Sequence, residues 1–234
     1  MKKTLSYILA IVVCLATLCG CGDTPSGGQT TGGPRDSVML RNALGMQTTD
    51  PADTNETDVL TVNEQIYEGL YTLDESGGGY QPCLAKEIDI SDDATVYTIT
   101  LQDGVKFHNG ETLKASDVVF SYQHFMANPK YNSYTDMIEK VEALDDSHVV
   151  ITIARPYSPI LHTFFKIKIL SEKEVTSQGS DFGTIANLAG TGPYYMDAKT
   201  YRPNSGWTLY AFEDYWQGAP QIKQIGYVVI EDNS

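Results

Sequence analysis

Residues 104–122, GVKFHNGETLKASDVVFSY, combine a tight turn with the start of a helix. Val105 and Phe107 are apolar at alternate positions, as in a strand with one buried face. Asn109-Gly110 follows, and this dipeptide favours the two-residue type I′ turn of a β-hairpin. The sequence therefore predicts a short strand and a hairpin turn in front of a helix.

The helix is predicted to begin near Ser116. Its apolar residues recur at three- and four-residue spacing and form one face: Val118, Val119, Tyr122, Phe125 and Met126. A turn followed by an amphipathic helix is typical of scaffold. The segment by itself therefore indicates no active site.

The chain on the N-terminal side of this segment predicts a strand, a helix and a hairpin. Residues 38–43 are a short apolar run suited to a buried strand. The helix has an apolar stripe, with Asn55 as its N-cap and Gly69 as its C-terminal stop. The stripe consists of Val59, Val62, Ile66 and Leu70. A hairpin around residues 76–79 follows, and Pro82 marks the next corner.

Antiparallel strand pairs are predicted on both sides of the segment. Residues 88–101 turn at Asp92-Asp93, and residues 140–154 turn at Asp145-Asp146. Four later strands are expected, at residues 166–170, 194–197, 207–212 and 225–230. Short strands joined by hairpins, with about three helices between them, indicate a mixed α/β (α+β) fold.

The N-terminus has the pattern of a lipoprotein signal peptide. Lys2 and Lys3 precede an apolar run over residues 7–18, which is shorter than the roughly 20 residues that a transmembrane helix needs. Residues 18–21, LCGC, resemble the lipobox, although Cys19 departs from it. We expect residues 1–20 to be a signal peptide and Cys21 to carry lipid. An ordinary secretory signal is the alternative.

The charge of the chain excludes some partners. It has 16 basic and 30 acidic residues, a net charge of −14, which becomes −16 without Lys2 and Lys3. This excess of negative charge argues against nucleic acid and against electrostatic adhesion to anionic lipid. Membrane attachment is therefore expected through the lipid anchor on Cys21.

Patterns for disulfides, metals and catalysis are missing from the sequence. After removal of the signal peptide and lipidation of Cys21, Cys83 is the single thiol, so neither a disulfide nor a CxxC zinc cluster can form. The histidines lie far apart, and neither a GxSxG elbow nor a Walker loop occurs. The histidines are His108, His124, His148 and His162. We expect no enzyme activity, no metal and no cofactor.

Five segments, in this order, carry a resemblance to a known family: residues 63–70 (NEQIYEGL), 82–85 (PCLA), 105–122, 190–194 (GTGPY) and 214–220 (DYWQGAP). Together, over about residues 38–231, they resemble the extracellular solute-binding proteins of ABC importers, family 5. The group includes oligopeptide-, dipeptide- and nickel-binding proteins. Lys114 departs from the family pattern, which has Thr or Ser there, so Ser116 or Thr112 is expected to cap the helix instead.

The resemblance implies a periplasmic-binding-protein-like type II fold. After a flexible tether over residues 21–36, residues 37–234 are expected to form lobe one, with the family's extra domain inserted at about residues 52–165. Family members are much longer than this chain. The second lobe is therefore expected to be missing.

The resemblance also implies a function in import. The protein is expected to be a monomer, lipid-anchored to the outer face of the cytoplasmic membrane, that delivers a peptide or similar small solute to ABC permease subunits. In relatives the loop after the first strand faces the cleft, so Gly45, Met46, Gln47 and Thr48 are the predicted ligand contacts. Thr191 and Gly192 are a second predicted pair. Oligopeptide, dipeptide, nickel chelate, sugar and haem stay open as ligands.

Two alternatives to an importing receptor stay open at this point. One is a truncated fragment that binds its ligand weakly or not at all, because one lobe leaves about half of a ligand exposed to water. The other is a surface lipoprotein with a different interaction role.

Overall fold

The computed structural model describes residues 36–42, 45–184, 186–202 and 204–230. They lie in one compact unit that contains two hydrophobic cores. The predicted signal peptide, Cys21 and the predicted tether up to residue 35 lie outside the described residues.

Strands and helices alternate along the described chain, which confirms the mixed α/β composition. The strands are β1 (Ser37–Asn42), β2 (Tyr71–Leu73), β3 (Tyr80–Pro82), β4 (Ala85–Ile90), β5 (Val96–Leu101), β6 (Ile138–Ala143), β7 (His148–Ile153), β8 (Tyr194–Met196), β9 (Gly206–Ala211) and β10 (Gln224–Val229). The helices are α1 (Thr57–Ile66), α2 (Ala115–Met126), α3 (Asn132–Thr135), α4 (Ile160–Lys166) and α5 (Glu172–Gln178).

The first sheet has the strand order β1-β10-β9-β8. β1 runs parallel to β10, and the other neighbours are antiparallel. Val38, Met39 and Leu40 are 37%, 67% and 42% exposed, so the prediction of a buried first strand is wrong. The reason is that β1 pairs on one side only within the described residues, which leaves it at the edge of the sheet.

The second sheet is antiparallel and has the order β4-β5-β7-β6. It confirms both predicted strand pairs. Tyr97, Ile99 and Leu101 are buried and alternate with half-buried threonines, as the period of two in the sequence predicts. Its buried side chains and those of α2 share the larger core.

The turn at Asn109-Gly110 differs from the predicted type I′ turn. Only Gly110 has a positive φ, of 87°. Phe107 N donates to Glu111 O at 2.8 Å, and Gly110 N donates to Phe107 O at 2.8 Å, so the loop has three residues instead of two. A three-residue loop needs a left-handed conformation at one position, which the glycine supplies.

Helix α1 is also bounded differently from the prediction. It ends at Ile66, its N-cap is Glu56, and Asn55 does not cap it. Gly69 is therefore no helix stop. A Cβ at Gly69 would lie 2.5 Å from the carbonyl oxygen of Phe164, so the glycine is required by the close approach of α4.

Two further expectations about the helices and strands are wrong. Helix α2 begins at Ala115, and the Asp117 carboxylate accepts from Lys114 N at 2.9 Å, so neither Ser116 nor Thr112 is the cap. Residues 166–170 form no strand, because α4 extends to Lys166 and the following chain makes a single bridge to Gly69.

The carboxylate of Glu68 is a buried hydrogen-bond acceptor that joins distant segments. Oε1 accepts from the Tyr215 hydroxyl at 2.7 Å and lies 3.5 Å from Cys83 Sγ. Oε2 accepts from Thr191 Oγ1 at 2.8 Å and from Trp216 Nε1 at 3.0 Å. Burial raises the pKa of Glu68, and these hydrogen bonds oppose the rise. Four of the five segments that carry the family resemblance thus meet at one group.

The two hydrophobic cores are formed by different parts of the chain. Apart from Ala52, the larger core draws on buried residues between Leu70 and Ile169. The smaller core contains α1 residues together with the first sheet and α5. The expected inserted domain at about residues 52–165 stays a prediction, although α1 packs with the residues on either side of that range.

Replacing Gly69 by alanine is expected to lower the free energy of unfolding by about 1–3 kcal/mol. The new methyl group would lie 2.5 Å and 2.9 Å from the carbonyl oxygens of Phe164 and Phe165, which are main-chain atoms of α4 and cannot move aside. Urea unfolding measures the loss. Gly78→Ala is the matched control, because its Cβ would come no closer than 3.4 Å to the Ser76 hydroxyl. Equal losses in the two variants would contradict the packing argument.

Candidate functional site

The loop over residues 45–49 lies at the carboxyl ends of two parallel strands. It follows β1 in the chain, and β10 ends beside the last residue of β1, where Ile230 N donates to Asn42 O at 3.1 Å. Ligands of open α/β sheets bind outside the carboxyl ends of parallel strands. The position of the loop in the fold therefore makes it the candidate site.

Three hydrogen bonds hold the loop in place. The Tyr201 hydroxyl donates to Met46 O at 3.1 Å, at the start of the loop. At its end the Tyr67 hydroxyl lies 2.8 Å from Thr49 O, and Thr49 N donates to Gly183 O at 2.9 Å. The loop is thus positioned by residues from three distant parts of the chain.

Tyr67 and Asn187 form a buried polar pair beneath the loop. The Tyr67 hydroxyl lies 3.0 Å from Asn187 Oδ1, and Asn187 Nδ2 donates to Thr49 Oγ1 at 3.0 Å. Burial raises the pKa of Tyr67, so its hydroxyl is a neutral donor at physiological pH. The pair supports the loop through groups that stay uncharged.

Asp50 fixes the chain directly after the loop. Its Oδ1 accepts from Ala52 N at 2.8 Å, and its Oδ2 lies 2.9 Å from His124 Nε2. Asp50 N donates to the Thr48 hydroxyl at 3.0 Å. Asp50, which directly follows the loop, is therefore held against helix α2.

The middle of the loop has main-chain groups that are not used by the fold. Within the described ranges, neither the N–H nor the carbonyl of Gln47 and of Thr48 takes part in a hydrogen bond. Gln47 is exposed, and its Nε2 lies 3.0 Å from Asn204 Oδ1 and 3.3 Å from Gly45 O. The unpaired donor and acceptor of one such residue can pair with the main chain of an extended ligand.

The predicted site residues have different environments. Gly45 and Thr48 are half-buried, whereas Met46 has no exposed surface. Thr191 is fully buried, with its hydroxyl on Glu68, so in this conformation the side chains of Met46 and Thr191 offer a ligand no surface.

Gly192 belongs to the scaffold around the end of α1. Its N–H donates to Ile66 O at 2.9 Å, and its carbonyl lies 2.9 Å from His108 Nε2. Burial lowers the pKa of His108 to about 4, so the ring is neutral and donates from Nε2 to this carbonyl. His108 therefore anchors the 104–113 hairpin to the main chain at Gly192.

Sequence reasoning missed the residues that support the loop. Tyr67 lies in the 63–70 segment that carries the family resemblance, but apolar periodicity gives no sign that its hydroxyl finds a buried partner. Asn187 and Tyr201 lie in irregular segments, where no periodicity marks them. A cavity of about 730 Å³ between the 104–113 hairpin and α5 is lined by no residue of the loop.

No helix among the described ranges combines the length and the apolar character needed to cross a bilayer.

Residues 79–234 match the sequence profile of the family described as bacterial extracellular solute-binding proteins, family 5 Middle. The glutathione-binding protein GsiB of Salmonella typhi is 32% identical over 205 residues, which are 84% of this chain and 39% of that protein.

Solved structures of similar fold include two with bound ligands. Listeria monocytogenes OppA bound to peptide aligns with a TM-score of 0.76 and 27% identity, covering 85% of this chain and 43% of that one. Campylobacter jejuni NikZ in complex with Ni(L-His) aligns with a TM-score of 0.72 and 29% identity, covering 84% and 40%. The chain thus spans about two-fifths of the length of the relatives that it matches.

Tyr67→Phe is expected to lower the free energy of unfolding by about 1–3 kcal/mol, because Thr49 O and the Asn187 amide lose a buried partner. Hydrogen exchange of the Thr49 N–H is expected to accelerate. Tyr67 holds the carbonyl of Thr49, and its loss weakens the position in which the Thr49 N–H donates to Gly183 O. Urea unfolding and amide exchange measured by NMR check both effects.

Tyr210→Phe is the matched control for this variant. Tyr210 is half-buried, and its hydroxyl makes no hydrogen bond within the described ranges. It is expected to leave both readouts unchanged. Unaltered exchange at Thr49 in Tyr67→Phe would show that Tyr67 does not position the loop.

Proposed function

The chain belongs to the family 5 bacterial extracellular solute-binding proteins, and from this premise we propose that it captures a peptide or a similar small solute for an ABC importer. It has the periplasmic-binding-protein-like type II fold of the family. The observation that carries the proposal is the loop at the carboxyl end of β1, with its unused main-chain groups at Gln47 and Thr48.

Peptide is the ligand class that the loop suits best. The N–H and carbonyl of one exposed residue can form the same hydrogen bonds with a ligand strand that two strands form in a sheet, where alternate residues face the partner. Gly45, Met46, Gln47 and Thr48 form the ligand-binding loop in this proposal; the exposed Gln47 pairs with the ligand, and Met46 holds the loop through its carbonyl on Tyr201. Thr191 and Gly192 are buried and contribute through the scaffold, at Glu68 and at the end of α1.

Affinity of the isolated chain is expected to be low. The loop lies on the surface rather than inside a closed cleft, so much of a bound peptide would stay in contact with water. We therefore expect a dissociation constant above about 10 µM. A constant of 10 µM corresponds to a binding free energy of roughly −7 kcal/mol.

We also propose that the protein works outside the cytoplasm as a lipoprotein. Lipid on Cys21 would hold it at the outer face of the cytoplasmic membrane, where a monomer would deliver its ligand to the permease subunits. The sequence of residues 18–21 and the negative charge of the chain support this, since electrostatic adhesion to anionic lipid is disfavoured. The proposed role is binding and delivery, with no catalytic step.

Main-chain recognition is tested at Gln47 by NMR titration of the ¹⁵N-labelled protein with trialanine and with glutathione. The amide resonance of Gln47 is expected to shift downfield and saturate, because its N–H gains an acceptor. Gln47→Pro removes this N–H group and is expected to weaken binding about tenfold.

Gln47→Ala is the matched control, since it removes the side chain and retains the main-chain donor. It is expected to bind within about threefold of the unmodified protein. Thermal denaturation shows whether either variant is misfolded. Equal loss of binding in the two variants, or shifts confined to residues outside 45–49, would refute main-chain recognition.

Lipidation is tested by growing cells that express the chain with radiolabelled palmitate. Cys21→Ser is expected to abolish the label on the protein and release it from the membrane fraction. Cys19→Ser is expected to retain the label, because Cys21 remains. Absence of label from the unmodified protein and from both variants would indicate an ordinary secretory signal.

A further inference from the structure

A second cavity, of about 270 Å³, is lined by no residue of the 45–49 loop. Its walls come from the end of α1, the β2–β3 hairpin, the segment after α4 and the chain near Tyr215. Charged and amide side chains line it: Glu64, Gln65, Glu68, Gln81, Lys168 and Gln217. It is therefore a polar cavity that the proposed peptide site does not use.

Lys168 is the exceptional residue in this cavity. It is 7% exposed, and its Nζ lies 4.3 Å from the centre of the Phe165 ring. Within the described part of the chain, its ammonium makes no hydrogen bond and no ion pair. Burial lowers the pKa of Lys168, and the charge of Glu64 opposes this effect.

The surrounding fold keeps this ammonium in the cavity. Ile169 N donates to Glu68 O at 2.8 Å, and Lys168 forms a β-bridge with Gly69. These bonds fix the main chain at Lys168. Glu68 cannot easily serve as the partner, because its two oxygens are already occupied by donors from four residues.

The ammonium of Lys168 faces the cavity and has no protein acceptor within the described residues, so a nearly buried charge depends on whatever occupies the cavity for its hydrogen bonds. The face of Phe165 offers a cation–π contact but accepts no ordinary hydrogen bond. The missing acceptor can instead come from a molecule that enters the cavity. Its volume suits a ligand smaller than the drug-sized molecules that fill pockets of roughly 300–1,000 Å³.

We propose that this cavity binds a small monovalent carboxylate, whose oxygens accept hydrogen bonds from the ammonium of Lys168. The amides of Gln81 and Gln217 line the same cavity and are donors for the second oxygen. Glu64 and Glu68 limit the charge that can enter, because two carboxylates repel a dianion more strongly than a monoanion. A carboxylate is therefore favoured over phosphate.

Thermal denaturation in sodium acetate tests the proposal, with sodium chloride of equal ionic strength as the reference. A ligand that binds only the folded state raises its stability by mass action. Acetate is expected to raise Tm above the chloride value by about 2 °C or more at saturation.

Lys168→Met is the decisive variant. It removes the unpaired charge and keeps an apolar chain of similar length over Phe165, so in chloride its Tm is expected to equal or exceed that of the unmodified protein. The effect of acetate is expected to disappear. Lys140→Met is the matched control, because that lysine is exposed and pairs with Glu142, and it is expected to retain the full acetate effect.

A second measurement does not depend on any variant folding. The ¹³Cε resonance of Lys168 in the unmodified protein is expected to shift and saturate during an acetate titration at constant ionic strength. The proposal is overturned if this resonance does not respond, if acetate and chloride stabilise equally, if Lys168→Met keeps the acetate effect, or if phosphate shifts the Lys168 resonance as strongly as acetate.

Discussion

The carboxylate of Glu68 accepts hydrogen bonds from the side chains of Thr191, Tyr215 and Trp216, and the thiol of Cys83 lies beside it. A buried carboxylate is tolerable only when donors surround it, and each donor left without this acceptor would itself be buried and unpaired. The group is therefore stable only when segments separated by more than a hundred residues are all in place. This requirement explains why short motifs far apart in the sequence occur together.

Tyr67, the residue before Glu68, connects this buried cluster to the candidate site. Tyr67 directs its hydroxyl towards Thr49 O and Asn187, so the end of α1 carries both the scaffold carboxylate and the support of the loop. The loop itself keeps unused main-chain groups at its centre. A rigid framework around exposed, unpaired main chain is the arrangement that strand-like ligand binding requires.

The relatives share the scaffold but not the ligand. Their names and structures report glutathione, peptide and a nickel–histidine complex, on folds that align closely with this chain. The residues of these segments that meet at Glu68 serve the scaffold: Tyr67, Glu68 and Thr191 are buried, and the half-buried Trp216 packs against the larger core. Their contacts are made within the fold, which is why the motifs identify the family without identifying the ligand.

The sequence by itself determined the mixed α/β composition, the two antiparallel pairs around Asp92-Asp93 and Asp145-Asp146, and a helix that begins close to Ser116. These features depend on periodicity and turn chemistry within a few residues. The overall fold was predicted from the resemblance of five segments to a known family. Only the tertiary structure decided that Gly69 serves the approach of α4 and that Thr191 is buried on Glu68. The same holds for the support of the loop by Tyr201. Each of these depends on which distant atoms come within a few ångströms, and local sequence patterns contain no information about such distances.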